Sequence, residues 1–161
     1  MKFEELYGRL PQHMRDALKN CEQDKKYHPE GSVENHIRMV FDECITRYPD
    51  DKEVMLASIF HDLGKPETQS IRYDEKGHKR IRNIGHEYAS LKYIDMYFHL
   101  FSDISTNKDK VYEICKEHMR AWKYYSKEMS NKGKRANFEK LKYFESVIKF
   151  TICDHNGRGK K

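Results

Sequence analysis

The sequence predicts an all-α domain, and three observations predict it. Apolar residues recur at spacings of three and four through most of the 161 residues, the period of a helix face rather than a strand. Residues that start or stop helices fall between those stretches: Pro11, Gly31-Ser32, Pro49-Asp50 and Gly64. One segment, residues 66–85, breaks the helical pattern.

Seven helices are read in order, at about residues 3–8, 11–21, 32–47, 51–63, 86–101, 108–121 and 137–154. Pro11 opens the second, and Gly31-Ser32 supplies a turn and N-cap for the third, in which His36 lies between Val33 and Val40. Pro49-Asp50 separates the third from the fourth, where His61 follows Val54 and Ala57 before Gly64 lets the chain turn sharply. The segment IRYDEKGHKRIRNI around Glu75-Lys76-Gly77 fits a small hairpin, with strands near 70–74 and 79–83. In the fifth helix His86 precedes Ala89 and Tyr93, and in the sixth His118 follows Val111, Ile114 and Cys115. Residues 126–136 read as a basic, polar loop, and the seventh helix carries Asp154 after Val147, Phe150 and Thr151. There are no repeats or low-complexity tracts, and the length fits one domain spanning 1–161.

Composition excludes several classes. The apolar runs are far shorter than the roughly 20 residues that cross a bilayer, so no membrane partner is expected. The start MKFEELYGRL lacks the basic stretch, apolar block and small-residue site of a secretory signal, which points to the cytoplasm. Cys21, Cys44, Cys115 and Cys153 are scattered in apolar helical contexts and read as reduced, buried thiols rather than disulfides or ligands. A net charge of +5 suits a polyanionic partner, although a charge of that size equally serves solubility.

The chemistry lies in the ionisable residues on apolar helix faces. A lone histidine there is usually a satisfied core histidine. Here five helices each turn one ligand-type residue inward: His36, His61, His86, His118 and Asp154. Burying the carboxylates of Asp62 and Asp154 without partners costs several kcal/mol, and a divalent cation shared with neutral imidazoles is the natural compensation. The adjacent pair His61-Asp62, about 100° apart on a helix, can reach one ion from two sides. Lys65 follows, where its ammonium can hold a phosphoryl oxygen. The mixed imidazole and carboxylate set suits Mn, Fe, Co, Ni or Mg better than closed tetrahedral zinc.

Four ordered segments carry a resemblance: H28-P-E-G-S-V-E-N-H36, H61-D-L-G-K-P-E-T68, G85-H-E-Y-A-S90 and C153-D-H-N-G-R158. They resemble the HD superfamily of metal-dependent phosphohydrolases, and most of all the HD domain of bacterial tRNA nucleotidyltransferases, over about residues 28–159. The resemblance implies an all-helical HD bundle with His36, His61, Asp62 and Asp154 holding the principal metal. His86 and His118 match positions that bind a second ion in some members and contact phosphate in others. No nucleotidyltransferase head is read before the HD part, so CCA addition is not implied. The separate HD activities are: hydrolysis of a 2′,3′-cyclic phosphate, a 2′-nucleotide or another phosphomonoester, at a nucleotide or RNA 3′ end.

The catalytic set expected is Asp62, Lys65, His86 and His118, with Asp62 aligning the nucleophile and the others stabilising phosphate oxygens or protonating the leaving oxygen. Arg120 and Arg158, near His118 and Asp154, are read with Lys65 as substrate contacts, surface arginine being the alternative. His28, Glu34 and Asn35 flank the first ligand, with His28 read as supporting that ligand, facing substrate or standing in a plain loop. Trp122, Tyr124 and Tyr125 could stack a base, though packing is the more usual role. His13, His78, His99 and His155 default to the surface. The basic runs Lys132–Arg135 and Arg158–Lys161 could follow RNA phosphates or simply be solvated. Three other readings stay open: a nucleotidase for free nucleotides, a silent module that binds nucleotide or RNA, and a purely structural all-helical interaction module with buried histidines. The oligomeric state is not legible.

Overall fold

A computed structural model describes residues 1–159; Lys160 and Lys161 of the basic tail lie outside the described residues. The elements in order are α1 (Phe3–Tyr7), α2 (Gln12–Lys19), α3 (Val33–Arg47), α4 (Lys52–Phe60), α5 (Lys65–Thr68), β1 (Gln69–Tyr73), β2 (Lys79–Asn83), α6 (His86–Tyr97), a 3₁₀ turn (Phe98–Phe101), α7 (Lys108–Tyr125), α8 (Lys132–Glu139) and α9 (Phe144–Asn156). The all-α expectation holds, with one two-stranded antiparallel hairpin in which Ile71 pairs with Ile81.

The bundle is built around α4. Every residue from Val54 to Phe60 is buried, and a helix apolar all round belongs in the middle of a core. It packs against α3, α6, α7 and α9, and its first turn is capped by Asp51, whose side chain accepts from Val54 N at 3.2 Å. Its own Phe60 is fully buried, as are Phe41, Phe101 and Phe150 in the same core. All four cysteines are buried and unpaired by disulfides. No helix among the described residues is long and apolar enough to cross a membrane.

Several boundaries differ from the sequence reading. The fourth helix, read to residue 63, ends at Phe60, and Lys65–Thr68, mostly read as non-helical, form the short α5, with Pro66 in its first turn where proline is well tolerated. The expected loop at 126–136 contains the start of α8, where Asn131 accepts from Lys134 N at 3.0 Å. The single helix expected at 137–154 is two. Tyr143 leaves the helical path, and its N–H donates instead to Glu113 Oε2 at 2.7 Å. Phe138 and Phe144 pack on each other across that break, so the apolar period continues although the helix does not.

Gly64 matters through crowding. Its φ of −83° suits any residue, but a Cβ there would lie 2.6 Å from Ser90 N and 2.7 Å from His86 O. This contact brings the end of α4 onto the start of α6.

Candidate metal centre

Four side chains from three parts of the chain meet at one buried point. His36 comes from the second turn of α3, His61 and Asp62 from the turn after α4, and Asp154 from the last turn of α9. His36 Nε2 is 2.9 Å from Asp154 Oδ1 and 3.6 Å from Asp62 Oδ2. His61 Nε2 is 3.2 Å from Asp62 Oδ2 and 3.9 Å from Asp154 Oδ1. Ligand atoms at neighbouring corners around an ion about 2.1 Å away are themselves about 3.0 Å apart, so these spacings suit one shared cation.

The orientation of the rings fits the same use. His36 Nδ1 donates to Glu30 Oε2 at 2.8 Å, and His61 Nδ1 donates to Ser58 O at 2.8 Å. Each ring is thereby held with Nε2 turned inward, the arrangement that outer partners impose on metal-binding histidines. Two of the four inward atoms, His61 Nε2 and Asp62 Oδ2, are buried and have no hydrogen-bond partner among the described residues. Orphaned buried donors and acceptors are rare and costly, and here both belong to buried groups of histidine and aspartate whose chemistry suits a divalent ion.

Without a cation, protons and ion pairs carry the charge balance. Burial alone would depress His36, but its hydrogen bonds to Asp154 and Glu30 outweigh burial and bring it up to about 9. Burial also opposes ionisation of Asp62, yet the neighbouring His61 and Lys65 hold it well below the usual carboxylate range. Asp154 is likewise held low against burial, chiefly by His36.

A second cluster shares Asp62. Its Oδ1 lies 3.1 Å from His86 Nε2 and 3.7 Å from His118 Nε2. The two Nε2 atoms are 3.1 Å apart, while Nδ1 of His86 donates to Asn83 O at 2.9 Å and Nδ1 of His118 to Cys115 O at 2.6 Å. Burial, reinforced by His86 and His61, lowers His118 to about 3, so its imidazole is neutral. Gly85, with φ of +80°, makes the turn from β2 that sets His86 at the first position of α6. Ser90 Oγ accepts from Gly64 N at 2.9 Å and lies within donating distance of His61 O at 3.0 Å, tying α6 to the His61-Asp62 turn.

The family model of the HD domain matches residues 22–154. The chain belongs to the HD-domain family. HD membership points to metal-dependent hydrolase chemistry and agrees with the all-helical bundle. A Multifunctional CCA protein of Herminiimonas arsenicoxydans is 28% identical over 147 residues, covering 89% of this chain and 34% of that protein. The HD chain thus spans about a third of the length of that relative.

A cleft of about 340 Å³ opens over the HD centre, lined by both clusters save His61, and by Lys65, Trp122 and Arg158. Lys65 is buried, with Nζ 2.6 Å from Gln23 Oε1 and 3.3 Å from Asp62 Oδ2. Arg158 stacks on Trp122 at 4.8 Å, and its Nε is buried without a partner among the described residues. Arg120 corrects the sequence reading: it bonds Glu117 at 2.8 Å, lies over Phe138 and does not line the cleft. Two positions along a helix from His118 is about 200° around, so proximity in sequence carried Arg120 to another face. Trp122 reaches the cleft, but Arg158 covers one face and His155 stacks at 5.0 Å, while Tyr124 packs on Phe138. Tyr125 is exposed beside His155, 5.9 Å away. His13, His78, His99 and His155 are exposed, as expected.

Sequence reasoning passed over Glu30, Gln23 and Asp24. Glu30 Oε2 accepts from both His36 and His28, the latter at 2.9 Å, and so joins the first ligand to the loop before α3. Glu34 turns away and accepts from Tyr7 OH at 3.0 Å, while Asn35 Nδ2 donates to the backbone carbonyl of Glu30 at 3.2 Å. The signal for Glu30 was the polar stretch ahead of a buried histidine. Gln23, which braces Lys65, and Asp24, which lines the cleft, left none, because both stand in a loop without period.

Proposed function

We propose that this HD domain is a divalent-metal-dependent phosphohydrolase that cleaves phosphoester bonds of a nucleotide or RNA 3′ end, of the 2′,3′-cyclic phosphodiesterase, 2′-nucleotidase or phosphatase type. The observation that carries the reading is the pair of orphaned buried atoms, His61 Nε2 and Asp62 Oδ2, facing His36 and Asp154. Those four residues would hold a divalent cation of the Mn, Mg, Fe, Co or Ni kind. Such a cation supplies Lewis-acid activation of water and neutralises charge at phosphorus. Asp62 faces both clusters through its two oxygens, and with it His86 and His118 would hold a second ion.

The chain's own groups orient the ester. Lys65, braced by Gln23, presents an ammonium to a phosphoryl oxygen, and Arg158, braced by Trp122, offers a second cationic contact. The Nδ1–H of each cluster histidine is engaged with a backbone carbonyl or Glu30, so the rings stay fixed while substrate enters. Four reduced, buried thiols suit work in the cytoplasm.

The test is turnover of 2′,3′-cyclic AMP, 2′-AMP and deoxynucleotides across Mn, Mg, Co and Ni. Metal-dependent hydrolysis of the first two, abolished in Asp62→Ala with an unchanged helical circular-dichroism spectrum, is the expected result. Hydrolysis of deoxynucleotides alone would move the reading to a nucleotidase. Binding without turnover in every metal would replace it with a silent HD module.

A further inference from the structure

We infer that the β1–β2 hairpin is a phosphate track for a single-stranded polynucleotide, so that the substrate is the end of a strand rather than a free nucleotide; this deepens the phosphohydrolase reading above and rests on it. In the hairpin register Arg72 stands directly across from Arg80, and Ser70 across from Arg82. Alternate strand residues share a face, so three arginines occupy one side of this small ribbon. Like charges directly opposed destabilise a strand pair. Arg80 is compensated by Asp24 at 2.9 Å, but Arg72 and Arg82 are exposed and make no ion pair among the described residues. An anion from outside the chain is the missing partner.

Position gives that anion its class. The other face of β2 is anchored: Ile81 is buried, and Asn83 donates to Lys65 O at 2.9 Å. The arginine face is therefore fixed at the rim of the metal cleft, which Arg82 itself lines. Residues two apart on a strand are about 6.6 Å apart, so Arg80 and Arg82 follow a line leading out of the cleft on the scale of one backbone step. Tyr27 lies beside this line, half exposed, with Arg80 5.8 Å from its ring, and Ile84 stands 77% exposed at the mouth. Cationic groups interleaved with an aromatic and an apolar side chain suit a flexible strand whose bases have accessible faces. A free nucleotide places its phosphate at the metal centre and leaves Arg72 without a partner. A strand supplies further phosphates.

The experiment is fluorescence anisotropy of the full chain with a fluorescein-labelled single-stranded RNA oligonucleotide, in chelator, over a range of salt. Binding is read without turnover, so a failed phosphohydrolase reading and a failed track are separate results. Arg72→Gln is expected to weaken RNA binding roughly two- to fivefold and to flatten the slope of log affinity against log salt by about 0.7. Arg72→Lys should retain most of both, and Lys116→Gln, an equal charge change on α7, should alter neither. An unchanged affinity and slope in Arg72→Gln, or an equal loss in Lys116→Gln, overturns the track. So does displacement of the RNA by 2′,3′-cyclic AMP as effectively as by unlabelled oligonucleotide at equal phosphate concentration.

Discussion

Replacing Glu30 with alanine removes no proposed metal ligand, yet it takes away the carboxylate that orients one. Glu30 Oε2 accepts from His36 Nδ1 at 2.8 Å and from His28 Nδ1 at 2.9 Å, and Oε1 accepts from Gly159 N at 3.1 Å. With the carboxylate gone, the imidazole of His36 keeps Gly157 O at 3.1 Å as an acceptor for Nδ1–H, but loses the charge that makes Nε2 a better donor to a cation. Loss of such an outer partner typically lowers metal affinity 10- to 100-fold, or about 1.4–2.7 kcal/mol. Glu30→Gln keeps an acceptor oxygen and loses the charge, so its affinity should fall between the alanine variant and the parent. Calorimetric titration of the metal-free proteins with Mn at one pH measures all three. A parental affinity in Glu30→Ala would refute the argument that this carboxylate tunes the ligand.

Three further outcomes follow from the geometry. Lys65→Met should lower kcat/KM for phosphoester hydrolysis by about 10²-fold or more without abolishing Mn binding, because its ammonium is a charged contact in a dry site beside Asp62 and not itself a ligand; steady-state kinetics beside a metal titration separates the two. Gly64→Ala forces a Cβ to within 2.6 Å of Ser90 N and should cost about 1–3 kcal/mol, a drop of about 2–12 °C in Tm by calorimetry. In the metal-free protein His36 is raised to about 9, so its contribution is fully present below about 6.5 and lost as pH rises through about 9. His28 and His118, lowered by burial to about 4 and about 3, act in the opposite sense, removing stability as pH falls below about 6.5. Thermal melts in chelator should therefore peak near pH 6.5, and Mn affinity should rise with pH as the His36 proton is displaced more easily.

The parts of this protein visible in its sequence are those with a period or a fixed spacing. His36, His61 and Asp154 stand out because each shares a helix face with apolar residues, and the structure brings their donor atoms within 3.9 Å of their nearest partners. The hairpin was legible from its breaker residues to within one residue at β1, where Asp74 Oδ1 accepts from Lys76 N and His78 N, both at 2.9 Å. The break between α8 and α9 was hidden, because Phe138 and Phe144 keep the apolar period across it. Gln23 and Glu30 escaped notice for a different reason: they act from loops, where no period marks which side chain turns inward. Arg120 shows the reverse error, since closeness to His118 in sequence says nothing of direction around a helix.

The central claim is that His36, His61, Asp62 and Asp154 form a cation site. Metal content of the purified chain, measured by inductively coupled plasma mass spectrometry after Mn loading and desalting, tests it directly. At least one Mn per chain in the parent, and loss of that ion in His61→Ala and Asp154→Ala with the helical spectrum intact, is the predicted result. Stoichiometric Mn retained by both variants, or none taken up by the parent, would contradict the claim.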